Sequence, residues 1–231
     1  MKDISQYVEI EQIYAQTLGN GYRSLSIVSP GVGSGCTSIA CALAFRHAAV
    51  GQSVLLIDVN LRSPSIDQRF SLKRSRWPTS VATLESHLQQ VAPAIYALTA
   101  NLDGAVEIKA NEYLNALNNH FKDKFDVIIF DTSPLNVVNR NNVPAEAVAA
   151  QTEATLLIVK GGETTEADLR QAHAKLINKA NLVGAVINDQ CNPRLADELI
   201  RETDRLSNKL PKVANKLKAL IAQNNFLNMA T

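Results

Sequence analysis

Three glycines, a threonine and two strand-ending aspartates are the residues here whose types and spacing suit chemistry. Gly31, Gly33 and Gly35 punctuate a loop between an apolar run at 25–29 and an Ala-rich segment at 35–50 that Gly51 closes. Strand, glycine loop and helix together cradle phosphate, because bare amides converge on the positive end of a helix. The pattern G-x-x-x-x-G-K-[ST] can be laid over residues 30–37. Gly35 and Thr37 fit it, Pro30 replaces the first glycine, and Cys36 stands where the lysine belongs. The sequence therefore predicts a phosphate loop without its own cation.

The two acids extend that reading. Ser53–Asp58 and Phe125–Asp131 are continuous apolar runs ending in aspartate, as suits parallel strands covered on both faces. In an open α/β sheet, ligands collect at the carboxyl ends of strands, which here are Ser29 to Gly35, Asp58, Asp131, Lys160 and Asn188. A hydroxyl, Thr37, with two carboxylates is the set that holds magnesium between nucleotide phosphates. Two other readings use the same residues. Gly31-x-Gly33-x-x-Cys36 with Asp58 approaches a dinucleotide fingerprint, although Asp131 has no task in that scheme. Cys36 at a helix N-terminus is also a candidate reactive thiolate.

The elements that must position these residues alternate in type. A weak apolar stripe predicts a helix over 5–18, ended by Gly19-Asn20-Gly21. Strands are expected at 25–29, 54–58, 94–99, 126–131, 154–159 and 182–187, and helices at 35–50, 81–92, 110–121 and 145–150. A further helix is expected over 164–179, with Thr164 as N-cap and Glu166 in its first turn. The polar stretch to Ser80, carrying Lys73, Arg74 and Arg76, reads as a solvated loop, or less readily as an anion-binding patch. Two last helices are expected near 193–207 and 210–223. In the second, Leu210, Val213, Leu217, Leu220 and Ile221 fall on one face, which packs on its own domain or touches a membrane surface. The pattern predicts an α/β protein with a doubly wound, mainly parallel sheet flanked by helices. It is read as a single domain over 1–231, with its core at about 22–190.

Composition narrows the class. With 231 residues and a formal net charge of +1, the chain can bury a full core, and nucleic acid is not an expected partner. No apolar run reaches transmembrane length, and the first ten residues are polar. Cys36, Cys41 and Cys191 are sparse and odd in number, which points to a reducing compartment, hence the cytoplasm.

Five segments in order carry a family resemblance: Ser29-Pro30-Gly31-Val32-Gly33-Ser34-Gly35-Cys36-Thr37, Leu55 to Pro64, Asp126 to Pro134, Val159 to Thr164, and Gly184 to Asn188. The sequence resembles the deviant-Walker P-loop ATPases. Within them it is more similar to the tyrosine kinases of capsule and exopolysaccharide biosynthesis than to the ParA/MinD partition ATPases. The resemblance implies a P-loop NTPase fold that takes ATP or ADP with magnesium. Gly31, Gly33, Ser34, Gly35, Cys36, Thr37 and Ser38 would line the phosphates, and Asn188 would read the adenine edge. Thr37, Asp58 and Asp131 would serve the magnesium, the two aspartates being the catalytic acids if the site is active.

The departures from the family matter as much. Cys36 removes the phosphate-binding lysine, Asn60 neutralises the second acid of a D-x-D pair, and Gly31 stands where the partition ATPases carry a signature lysine. Losing an ammonium that contacts two phosphates costs roughly 2–4 kcal/mol, so weak binding and impaired turnover are expected. The kinases' tyrosine-rich tail has no counterpart in residues 224–231. Their oligomer-forming E-x-x-R-x-x-R helix is reduced to Glu11, Tyr14 and Thr17. The resemblance implies a regulatory partner of a membrane-embedded polysaccharide co-polymerase or export protein, with a homodimer as its own assembly. That role would place it in the cytoplasm or peripherally at the inner face of the cell membrane. The alternatives are an active ATPase or tyrosine kinase whose lysine comes from elsewhere, or a localisation ATPase of the ParA/MinD kind.

Overall fold

The computed structural model describes residues 7–102, 111–137, 142–189, 199–200, 202–204 and 211–223. The chain divides into two compact units, Met1–Asn188 and Asp189–Thr231.

The first unit begins with helix α1 (Val8–Gln16), strand β1 (Ser24–Val28), helix α2 (Cys36–Ala48) and strand β2 (Val54–Asp58). A short helix α3 (Ile66–Phe70), strands β3 (Gln89–Ala92) and β4 (Ile95–Leu98), helix α4 (Asn111–Lys122) and strand β5 (Val127–Asp131) follow. Helix α5 (Ala145–Ala149), strand β6 (Ala154–Lys160), helix α6 (Glu166–Leu176) and strand β7 (Leu182–Asn188) complete it. The sheet order is β3-β4-β2-β5-β1-β6-β7. β3 is antiparallel to β4, and the other pairings among the described residues are parallel.

The continuous apolar runs become central strands because both faces of the sheet are covered. Alternate residues of one strand enter opposite cores, as the period-2 pleat requires. Val54 and Leu56 pack with Leu25, Ile27 and Leu43, whereas Leu55 and Ile57 pack with Phe121, Ile128 and Phe130. β7, at the sheet edge, is more exposed, with Ile187 at 72%. Registers pair Asp131 with both Asp58 and Ile27, so β1, β2 and β5 finish at one level beneath the glycine loop.

Four expectations are corrected. Residues 81–92 do not form one helix: 81–87 make 3₁₀ turns, and Gln89–Ala92 becomes an edge strand because β4 offers it a backbone partner. The polar stretch to Ser80 is more than a loop, since it contains α3 and buries Trp77, whose Nε1 donates to the Thr99 carbonyl at 2.8 Å. Arg74 donates to the carbonyls of Ala100 and Asn101. The cap of α6 is Thr165, not Thr164. Thr165 and Asp168 form a reciprocal capping box, while the Thr164 hydroxyl accepts from the Lys160 N–H. Thr165→Ala should cost about 1 kcal/mol, read by urea denaturation, whereas Thr164→Ala leaves the helix cap intact.

The fourth correction lies in the second unit. A helix spans Pro211–Gln223, as predicted, but its apolar stripe is divided: Ala214 and Ile221 are buried, whereas Leu217 and Leu220 are exposed. Lys218 pairs there with Asp204. The helix expected over 193–207 falls mostly outside the described residues, as do Cys191 and the segment 224–231. Among the described residues no helix is long and apolar enough to cross a membrane.

Glu11, Tyr14 and Thr17 are engaged within the first unit. Glu11 pairs with Arg46, the guanidinium of Arg46 lies 4.5 Å from the Tyr14 ring centroid, and the Thr17 hydroxyl donates to the Ile13 carbonyl at 2.7 Å. The Tyr14 hydroxyl lies 3.2 Å from His47 Nδ1.

Candidate functional site

The loop from Ser29 to Gly35 is stiffened from within. The hydroxyls of Ser29 and Ser34 both donate to the Gly31 carbonyl, each at 2.9 Å. Gly35 has φ +93°, a conformation that favours glycine, and a β-carbon there would come 2.3 Å from the Asn188 amide nitrogen and displace that side chain. That left-handed turn starts α2 with no side-chain cap at its N-terminus. The amides of a helix's first turn need partners, and an anion is one that suits them.

Thr37, in the first turn of α2, donates to Asp131 Oδ2 at 2.5 Å and accepts from the Ser65 hydroxyl at 2.9 Å. Asp131 is fully buried and its Oδ1 has no hydrogen-bond partner. Burial, and then the neighbouring Asp58 charge, push its pKa up to about 8, against the pull of the Thr37 hydroxyl. Asp58 is equally buried, but backbone satisfies it: Oδ1 accepts from the Asn60 N–H, and Oδ2 from those of Ser65 and Ile66. Burial raises Asp58 as well, to about 6, with those three N–H groups opposing the shift. A buried carboxylate oxygen without a partner, beside a threonine oxygen, suits magnesium, which takes few protein ligands and completes its shell with water and phosphate. The residues fit such an ion as a nucleotide's companion. Among the described residues no cluster of three or more His, Cys, Asp or Glu side chains could hold a metal unaided.

One of the departures, Asn60, has a structural task. Asn60 Oδ1 accepts from the Ser63 N–H and the Ser133 hydroxyl, both at 3.2 Å, tying the segment after β2 to the one after β5. Cys36 is half-buried, and burial followed by the Asp131 charge pushes its thiol up to about 12. A thiol so raised stays protonated at neutral pH, which weighs against the reactive-thiolate reading.

The candidate residues thus fall into two groups. Thr37, Asp58 and Asp131 converge beneath the loop with Cys36, while Ser38 lies 3.5 Å from the Arg69 guanidinium. Asn188 reaches the loop from the far side, its amide donating to the Ser34 carbonyl at 2.9 Å. The bond between Asp131 and Thr37 also gives Asp131 the task that the dinucleotide scheme lacked. Sequence spacing missed Ser65, whose hydroxyl joins the site from the turn before α3.

No protein-family model matches the chain. Tyrosine-protein kinase YwqD of Bacillus subtilis (strain 168) is 28% identical over 174 residues, covering 72% of this chain and 72% of that protein. Succinoglycan biosynthesis transport protein ExoP of Rhizobium meliloti (strain 1021) is 24% identical over 182 residues, 74% of this chain but 22% of that protein. The kinase domain of the Escherichia coli tyrosine kinase ETK superposes with a TM-score of 0.66 at 21% identity, covering 80% of this chain and 73% of that one. The septum site-determining protein MinD from Pyrococcus horikoshii OT3, solved with Mg-ADP, gives 0.60 at 19%, covering 74% and 72%. The chain has the fold of the P-loop NTPases and is similar in sequence to bacterial tyrosine-protein kinases.

Proposed function

We propose that this protein is a tyrosine-kinase-like P-loop component of capsule or exopolysaccharide biosynthesis or export, impaired in turnover, that acts as a regulatory partner of a membrane protein. One observation carries the reading. The loop, its helix start, Thr37 and both aspartates keep an arrangement fit for magnesium nucleotide, while a neutral, half-buried cysteine occupies the lysine position. Likeness to a tyrosine-protein kinase and to a succinoglycan biosynthesis transport protein supports the pathway. ATP or ADP would lie along Gly31 to Ser38, with the adenine edge toward Asn188. Thr37 and Asp131 would ligate magnesium, and Asp58 would hold the surrounding backbone amides in place. Bound magnesium supplies charge neutralisation at the phosphates, a task the loop cannot perform without its lysine.

The transition state of phosphoryl transfer depends on positioned positive charge, so loss of the lysine lowers turnover at least as much as binding. Incubated with ATP and magnesium, the protein should show no phosphotyrosine by immunoblot and no phosphate release above a Thr37→Ala, Asp131→Ala control. Hydrolysis clearly above that control, or stoichiometric labelling of Tyr7, Tyr14 or Tyr22, would overturn the impaired reading. Co-purification from native membranes, with and without nucleotide, tests the partner.

A further inference from the structure

At the end of β6 the chain turns sharply. The Lys160 N–H donates to the Thr164 hydroxyl at 3.0 Å, the Gly161 N–H donates to the Asn188 carbonyl at 2.9 Å, and Gly162 takes φ +71°. That turn sets the Lys160 side chain against the glycine loop, with Nζ 3.8 Å from where a β-carbon on Gly33 would sit. Nζ pairs with Glu163 Oε1 at 2.6 Å, and the Glu163 side chain is 65% exposed. Between them and the loop lies a cavity of about 320 Å³, lined in part by Pro30, Gly31, Ser34, Asn136, Lys160 and Glu163. Asn136 donates to the Asp168 carbonyl through Nδ2, while its buried Oδ1 has no partner.

We propose that Lys160 supplies the positive charge that Cys36 withholds, binding phosphate oxygens of a nucleoside di- or triphosphate across Gly33. The proposal rests on the nucleotide reading above and deepens it. An ammonium on a flexible four-carbon stem can exchange one oxygen partner for another. Its present partner is an exposed carboxylate, and such pairs hold weakly. Gly33 leaves the approach open, because any side chain there would stand between the ammonium and the loop. Lys160 enters from β6, beside the loop, whereas a lysine at position 36 would extend from the first turn of α2. It therefore serves binding, from one side, without restoring the two-phosphate contact that turnover requires.

The test is calorimetric titration of the full chain with Mg-ADP, with magnesium pyrophosphate and with adenosine, after circular dichroism and thermal melts confirm that each variant folds. Lys160→Gln should weaken Mg-ADP and pyrophosphate by about tenfold or more and leave adenosine unchanged. Lys160→Arg should retain most of the affinity, and Glu163→Gln, which frees the ammonium, should tighten both anions. Equal binding by wild type and Lys160→Gln overturns the role of Lys160 and leaves the nucleotide reading standing. Lys160-dependent binding of pyrophosphate without binding of Mg-ADP overturns the nucleotide reading and keeps the anion contact. If wild type binds neither, both fail.

Discussion

Replacing Asp131 with asparagine should stabilise the ligand-free protein while weakening its hold on magnesium nucleotide. Asp131 is fully buried, lies opposite the equally buried Asp58 across the β2–β5 pairing, and has one oxygen without a partner. Among the described residues no cation forms an ion pair with it. A buried charge without a counter-ion is costly, and asparagine keeps the shape and an acceptor for Thr37 without that charge. The expected gain is about 1–3 kcal/mol at pH 8, several degrees in Tm.

Its sign with pH follows from linkage. The native state holds the Asp131 proton more tightly than the unfolded chain does, up to about 8 from 3.8. The stabilisation is therefore fully present below the unfolded pKa, and it is lost as pH rises through the native one. Asparagine does not titrate, so the variant's advantage should grow from pH 4 and level off above pH 8. Urea denaturation across that range measures it. A variant less stable than wild type at pH 8 would show that another group compensates the buried carboxylate. Loss of magnesium dependence in nucleotide binding is the second readout.

Cys36→Lys should raise magnesium-nucleotide affinity by at least about tenfold, 1.4 kcal/mol, in the Lys160→Gln background. In wild type the gain should be smaller, because Lys160 already supplies part of the missing charge. The ceiling is the roughly 2–4 kcal/mol of two charge-assisted contacts, reduced by imperfect refitting of a longer side chain at a half-buried position. Asn60→Asp should add little affinity and act on metal dependence, since aspartate can still accept from Ser63 and Ser133 while bringing a third carboxyl group to the site. Titration with a non-hydrolysable nucleotide reads these changes in both backgrounds. Absence of a gain in either lysine background would mean that the loop no longer presents a phosphate cradle.

Much of the fold was legible because the central strands β1, β2, β5 and β6 are covered on both faces and therefore appear as unbroken apolar runs. The loop was legible through its glycines, and Thr37, Asp58 and Asp131 through their places at element ends. Local pattern failed where a distant partner decides the conformation. Gln89–Ala92 carries no strong period, and it becomes a strand because β4 presents unpaired backbone beside it. Adjacent threonines at 164 and 165 have equal capping chemistry. The turn that takes up Lys160 spends the first and leaves the second for α6. The expected apolar face of the helix at 211–223 likewise could not reveal which leucines tertiary packing would leave exposed.

At the site the division is sharper. Residue types alone predicted a phosphate cradle with two acids and placed Cys36 at its lysine position. Only the folded chain shows Asp131 short of one partner, Asn60 bridging to Ser133, and Lys160 lying against Gly33. Such contacts join residues remote in sequence through the parallel sheet, whose order bears no simple relation to chain order, so no local spacing encodes them.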